Sequence, residues 1–151
     1  MVIFSRLRVL VAEDFSPFRQ FICSTLAKRP SLRVVCAVSD GLEAIQQAVV
    51  LAPDLVLLDI GLPTLNGIEA ARQIRGLVPE SKIVFVSQES SVEVVREALS
   101  FGACGYVAKT RAEQDLLAAV DAVLAGNRFV SVGLSYENFT AAGATASIKV
   151  P

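Results

Sequence analysis

Five times along this chain a short apolar run gives way to a helix-like stretch, and each run stops at a polar residue. The runs are Leu7–Ala12, Arg33–Val38, Leu55–Leu58, Lys82–Val86 and Cys104–Ala108. Between and after them, Phe15–Arg29, Leu42–Leu51, Ile68–Val78, Ser91–Phe101 and Glu113–Ala125 carry apolar residues at helical spacing. Phe18, Phe21, Ile22, Thr25 and Leu26 share one face of the first helix; Ile68, Ala71, Ile74 and Val78 share one face of the third. Asp14 is the expected N-cap of the first helix, and Ser39-Asp40-Gly41 forms the turn and cap before the second. Pro30 and Pro53 end the first two helices, and Gly126-Asn127 closes the fifth. Strict alternation without a hairpin signal predicts a parallel sheet with helices on both faces and right-handed crossovers.

Buried strands also account for the composition. The chain is 53% hydrophobic, yet no apolar run approaches the roughly 18–20 residues that span a bilayer. Met1 to Arg8 leads straight into a strand and does not read as a signal peptide. A soluble α/β protein follows. Residues 1–130 are expected to form one domain. Residues 131–151, rich in small residues and without a period, are expected to be a linker or tail, partly disordered.

Charge and rare residues narrow the function. Fourteen basic and fifteen acidic residues give a net charge of −1, which offers no whole-chain attraction for nucleic acid. Cys23, Cys36 and Cys104 lack metal-ligand spacing and read as buried, reduced thiols. There is no histidine, so a histidine base, ligand or phosphohistidine must sit on another chain.

The polar residues at the strand ends carry the chemistry. Ligands of an open parallel sheet bind outside the carboxyl ends of its strands. There this chain places Glu13 and Asp14 after strand one, Asp59 after strand three, Ser87 after strand four and Lys109 after strand five. Taken singly each has an ordinary role, as a cap, a turn residue or a surface group; their coincidence is what points to a site. Three adjacent carboxylates repel one another unless a cation lies among them. Magnesium takes oxygen ligands and usually keeps waters and a phosphate oxygen. Lys109 is a point charge suited to a phosphoryl oxygen, and Ser87 offers a hydroxyl. Asp59, on the most apolar strand, is the candidate nucleophile for phosphoryl transfer.

These segments resemble the receiver domains of two-component response regulators. The resemblance covers residues 7 to about 130 and rests on Val9-Leu10-Val11-Ala12-Glu13-Asp14, Leu57-Leu58-Asp59-Ile60-Gly61-Leu62-Pro63, Asn66-Gly67-Ile68-Glu69-Ala70, Val86-Ser87 and Gly105-Tyr106-Val107-Ala108-Lys109. It implies a flavodoxin-like, doubly wound (βα)5 fold with a five-stranded sheet in the order 2-1-3-4-5. It implies Asp59 as phosphoacceptor and Mg2+ held by Asp14, Asp59 and the backbone carbonyl of Gly61, with Glu13 acting through water. Lys109 would pair with the phosphoryl group, Ser87 would be the switch hydroxyl and Tyr106 the aromatic switch. Pro63 would hold the loop after Asp59. Thr110 stands where many receivers have a proline after a cis peptide. The resemblance further implies a sensor histidine kinase as partner, a cytoplasmic location, and a self-phosphorylating and self-dephosphorylating switch instead of a turnover enzyme.

Gly105 to Ser131 is similar to the NarL/FixJ type, whose receivers usually precede a helix-turn-helix module. Such a module needs roughly 50–60 further residues with a basic face, and only one Lys follows Arg128. The chain is therefore read as a stand-alone receiver or one cut from a longer regulator, with no direct nucleic-acid or membrane binding of its own. The helix 4/strand 5/helix 5 surface is the output face the family implies. The apolar residues of helix five, from Leu116 to Leu124, serve either core packing or a homodimer contact. A degenerate receiver acting as a phosphorylation-independent module is the alternative, although the acidic pair, Asp59 and Lys109 are all present. A phosphatase would need an acid/base where Gly61 stands, and a flavodoxin-like cofactor binder would not carry Glu13-Asp14-Phe15 after strand one.

Overall fold

The computed structural model describes residues 6–131. The apolar runs form strands β1 (Leu7–Ala12), β2 (Leu32–Val38), β3 (Leu55–Leu58), β4 (Lys82–Ser87) and β5 (Gly105–Ala108). Helices α1 (Ser16–Leu26), α2 (Gly41–Leu51), α3 (Gly67–Leu77), α4 (Val92–Ser100) and α5 (Ala112–Leu124) alternate with them. A single 3-10 turn, Lys109–Arg111, links β5 to α5. The strands are parallel and follow the expected order 2-1-3-4-5. A short sixth strand, β6 (Phe129–Val130), extends the sheet beyond β5, so it holds six strands where five were expected.

Side chains alternate across the sheet, as a strand's two-residue period requires. Leu10, Ala12, Val56, Leu58, Ile83, Phe85 and Tyr106 pack against α2, α3 and α4. Val9, Val11, Leu55, Leu57, Val84, Val86 and Val107 pack against α1 and α5. Both faces are covered, which explains why β3 is apolar throughout.

Most helix starts follow the expected chemistry. Asp40 accepts from the Glu43 amide at 2.7 Å, Asn66 from Glu69 at 3.0 Å and Ser91 from Val94 at 3.2 Å. The start of α1 differs. Its N-cap is Phe15, not Asp14, and no side chain caps it. Pro17 occupies the first turn, where it withdraws one amide from those needing a partner, and Glu13 Oε2 takes the Phe15 amide at 3.0 Å. The helix also ends at Leu26, before the expected Arg29. The amides of Lys28 and Arg29 instead donate to carbonyls three residues back, a tightened final turn.

The expected tail begins at Ser131, which is fully buried. The remainder of that expectation, residues 132–151, lies outside the described residues. On α5, Leu116, Ala119, Val120 and Val123 are core residues. Among the described residues the large exposed apolar side chains are Phe15, Leu42, Val49, Val50 and Leu77, none of them on α4, β5 or α5. No described helix is long and apolar enough to cross a membrane.

Candidate functional site

Strand register brings the polar strand ends together. Ala12 pairs with Leu58, and Ser87 with Ala108. The next residues, Glu13 after β1, Asp59 after β3 and Lys109 after β5, therefore emerge at one end of the sheet. The Asp59 amide donates to the Ala12 carbonyl at 3.0 Å and the Glu13 amide to Val38 at 3.0 Å, which extends the ladder into the site. Gly67 begins α3 against the Asp59 backbone. A Cβ there would lie 1.9 Å from the Asp59 carbonyl oxygen, so only glycine permits that approach.

The residues converge on an open cleft of about 490 Å³, whose lining includes Glu13, Asp14, Asp59, Ser87 and Lys109. The Lys109 ammonium sits 2.9 Å from Glu13 Oε1 and 3.3 Å from Asp59 Oδ2. The Gly61 amide donates to Asp59 Oδ1 at 3.3 Å. Glu13, Asp14 and Asp59 each offer a carboxylate oxygen, all within 4.8 Å of one another. Glu13 and Asp59 are buried, while Asp14 is exposed at the mouth. Every site residue expected from the sequence is therefore at this end of the sheet, with Tyr106 beneath it.

Burial raises the Glu13 pKa above its ordinary value. The Lys109 ammonium and the Phe15 amide pull it back, and the Asp59 charge adds to the rise. Burial opposes the charge on Lys109, but the two carboxylates outweigh it and leave the ammonium pKa raised. An ion pair usually lowers its acid. Here the acid is wholly buried and the pair does not repay its desolvation. Geometry agrees: Glu13 Oε1 touches Lys109 but accepts no well-aligned hydrogen bond. A buried carboxylate oxygen short of donors, within an all-oxygen donor set, suits a hard divalent cation.

Tyr106 points inward. It is fully buried, its ring lies 6.0 Å from that of Phe85, and its hydroxyl donates to the Glu89 carbonyl at 2.9 Å. Ser87 Oγ accepts from the Glu89 amide at 3.1 Å. The Glu89 backbone thus joins the Ser87 hydroxyl to the Tyr106 ring.

The sequence matches the response regulator receiver domain over residues 9–121. The chain belongs to that family. As a receiver it is 32% identical over 127 residues to the transcriptional activator protein ExaE of Pseudomonas putida, covering 84% of this chain and 59% of that protein. It is 34% identical over 125 residues to the response regulator GacA of Pseudomonas viridiflava, covering 83% and 58%. A protein-glutamate methylesterase/protein-glutamine glutaminase of Colwellia psychrerythraea is 38% identical over 107 residues, which is 70% of this chain but 28% of that protein. The receiver thus spans less than two thirds of the length of these curated relatives. Among solved structures, a two-component response regulator of the LuxR family from Aurantimonas superposes with a TM-score of 0.83 at 31% identity, covering 88% of this chain and 95% of that one. The response regulator domain of Thermotoga maritima CheB gives 0.71 at 31%, covering 77% and 94%.

The sequence did not mark every residue of the receiver's cleft. Phe15, Phe18, Gln88, Glu89 and Thr110 also line it. Phe18 carried only a helical-spacing signal, which reads as core. No cis peptide bond occurs among the described residues, the one before Thr110 included.

Proposed function

We propose that this receiver accepts a phosphoryl group on Asp59 from a phosphohistidine of a sensor kinase. The observation that carries the reading is the Lys109 ammonium, 2.9 Å from Glu13 and 3.3 Å from Asp59, inside an oxygen-lined cleft. An Asp59 carboxylate oxygen attacks phosphorus in line. The bond from phosphorus to the partner's imidazole nitrogen breaks, and the imidazole leaves with the electron pair. An acyl phosphate remains on Asp59. Asp14, Asp59, the Gly61 carbonyl and, through water, Glu13 would hold a magnesium ion, which when bound supplies positive charge to the phosphoryl oxygens. Lys109 exchanges its contact with Asp59 for one with a phosphoryl oxygen. Ser87 donates its hydroxyl to another. That movement releases the Glu89 amide and biases the Tyr106 ring and the α4/β5/α5 surface between two states.

With Gly61 two residues after Asp59, this site has no acid/base there to turn over a small substrate, so the unit acts as a switch. In this reading residues 1–130 are the receiver domain and the residues after them serve as linker or tail. The balanced charge favours protein partners over nucleic acid. A homodimer through α4/β5/α5 is tested by sizing the protein with and without beryllofluoride; monomer in both excludes it.

Incubation with acetyl phosphate and magnesium tests the central reading by mass spectrometry. One added phosphoryl group is expected, absent in Asp59→Ala and on chelation. An unmodified wild-type chain would overturn it and leave a phosphorylation-independent interaction module.

A further inference from the structure

The Lys109 side chain is only 13% exposed, although it stands at the rim of an open cleft. Two of its neighbours are the carboxylates already described. The third is aromatic: Lys109 Nζ lies over the Phe18 ring, 4.8 Å from its centroid. That distance is within the roughly 6 Å at which the negative face of a ring attracts an ammonium.

Phe18 is held where it stands. It occupies the first turn of α1 directly after Pro17. It stacks on Phe21, with centroids 5.5 Å apart and planes 30° apart. Both rings pack against the cluster that fills the α1/α5 side of the sheet. The ring is therefore a fixed wall, and the four-carbon stem of Lys109 is the flexible partner. A lysine ammonium is a strongly hydrated point charge on a mobile stem, and the site needs it at one place. Glu13 and Asp59 draw the ammonium inward but leave it free to swing outward to water. The Phe18 face closes that path at no cost in hydrogen bonds.

We propose that Phe18 is a positioning residue for Lys109: its ring face holds the ammonium against Glu13 and Asp59 and keeps water from its third side. The kinetic part of this proposal rests on Asp59 being the phosphoacceptor; the placement of Lys109 does not. Phe15, the other aromatic residue of the cleft, is 61% exposed, and among the described residues the ammonium of Lys109 lies over Phe18.

Two measurements on the full chain test it. The first is NMR of the Lys109 ε-methylene. Ring-current displacement is expected in the wild type and should vanish in Phe18→Leu. Identical shifts would overturn the placement whether or not Asp59 takes phosphate. The second is the initial rate of phosphoryl uptake from acetyl phosphate. Phe18→Leu should slow it about 3- to 30-fold, and Phe18→Trp should keep it near wild type. Incorporation of 3,4,5-trifluorophenylalanine at position 18 keeps the ring's size and shape closely but depletes its face of negative charge. It should slow uptake as leucine does, with unchanged thermal stability. A merely structural ring would leave the fluorinated protein at the wild-type rate, and that result would overturn the proposal even if Phe18→Leu did not fold. A wild type without uptake would instead remove the Asp59 reading and leave the NMR comparison to decide the placement.

Discussion

Glu13 and Asp115 are both buried acids, 0% and 7% exposed, and they are accommodated in opposite ways. Asp115 lies at the β5/β6 edge with both oxygens served. The Ser131 hydroxyl donates to Oδ2 at 2.7 Å, and the Arg111 guanidinium reaches Oδ2 at 3.0 Å and Oδ1 at 3.3 Å. Ser131 Oγ in turn accepts from the Ala108 amide at 3.1 Å. Glu13 has one backbone donor on Oε2 and a single ion-pair contact on Oε1. The first acid is closed chemically and fastens the fold. The second is left short of partners beside an open cleft, where a cation or a transferred group has room to complete it. A satisfied buried charge holds structure together, whereas an under-served one marks where chemistry is done.

Crossed substitutions would break or sharpen this contrast. The largest effect is expected for Glu13→Gln. Magnesium-dependent phosphoryl uptake should fall on the order of tenfold, while the urea midpoint stays level or rises, because a poorly compensated buried charge is gone. A clear loss of stability with uptake unchanged would reverse the assignment. Asp115→Ala should do the opposite. It strands the Ser131 hydroxyl and should cost about 2 kcal/mol in urea unfolding, while uptake measured well below the transition persists. The Arg111 contact adds little, since that side chain is 40% exposed. Ser131→Ala keeps the Arg111 pair and should cost about 1 kcal/mol; a change below measurement error would mean that β6 does not depend on this hydroxyl.

The smallest effect in ordinary buffers belongs to Tyr106, which touches both regions. Its hydroxyl faces the cleft through Glu89, and its carbonyl accepts from the Ser131 amide at 2.9 Å. Burial raises the phenol pKa from 10.0 to about 12. Folding therefore favours the neutral phenol. Its contribution to stability is complete below about pH 10 and is lost as pH rises toward 12. A phenolate absorbance titration of wild type minus Tyr106→Phe should show a midpoint near 12; a midpoint near 10 would mean that the ring is not held inside.

Much of this was legible in the sequence, because strand ends are marked locally. An apolar run followed at once by Glu13, Asp59, Ser87 or Lys109 gives both the strand and the direction in which it delivers its last side chain. Parallel pairing does the rest. The Asp115 cluster carried no such mark. An acid in the first turn of α5 reads as a complement to the helix dipole, and Ser131 sits in a stretch with no period. The two-residue strand that joins them exists only through its register against Gly105 and Tyr106. The α1 start departs from the expected Asp14 cap for a local reason: with a proline in the first turn, the cap falls on Phe15. Phe18 lies on one face of α1 as its spacing predicts, but the ammonium above it comes from Lys109, 91 residues further along the chain.

The sixth strand has a mechanical consequence. In a five-stranded sheet β5 would be the edge, with one flank of its backbone open. Here Phe129 and Ser131 donate to the Cys104 and Tyr106 carbonyls, so β5 is sheathed on both sides. Ser131 is tied to β5 through the Tyr106 carbonyl and to α5 through Asp115, so a pull on the chain past it is shared between the sheet edge and the helix.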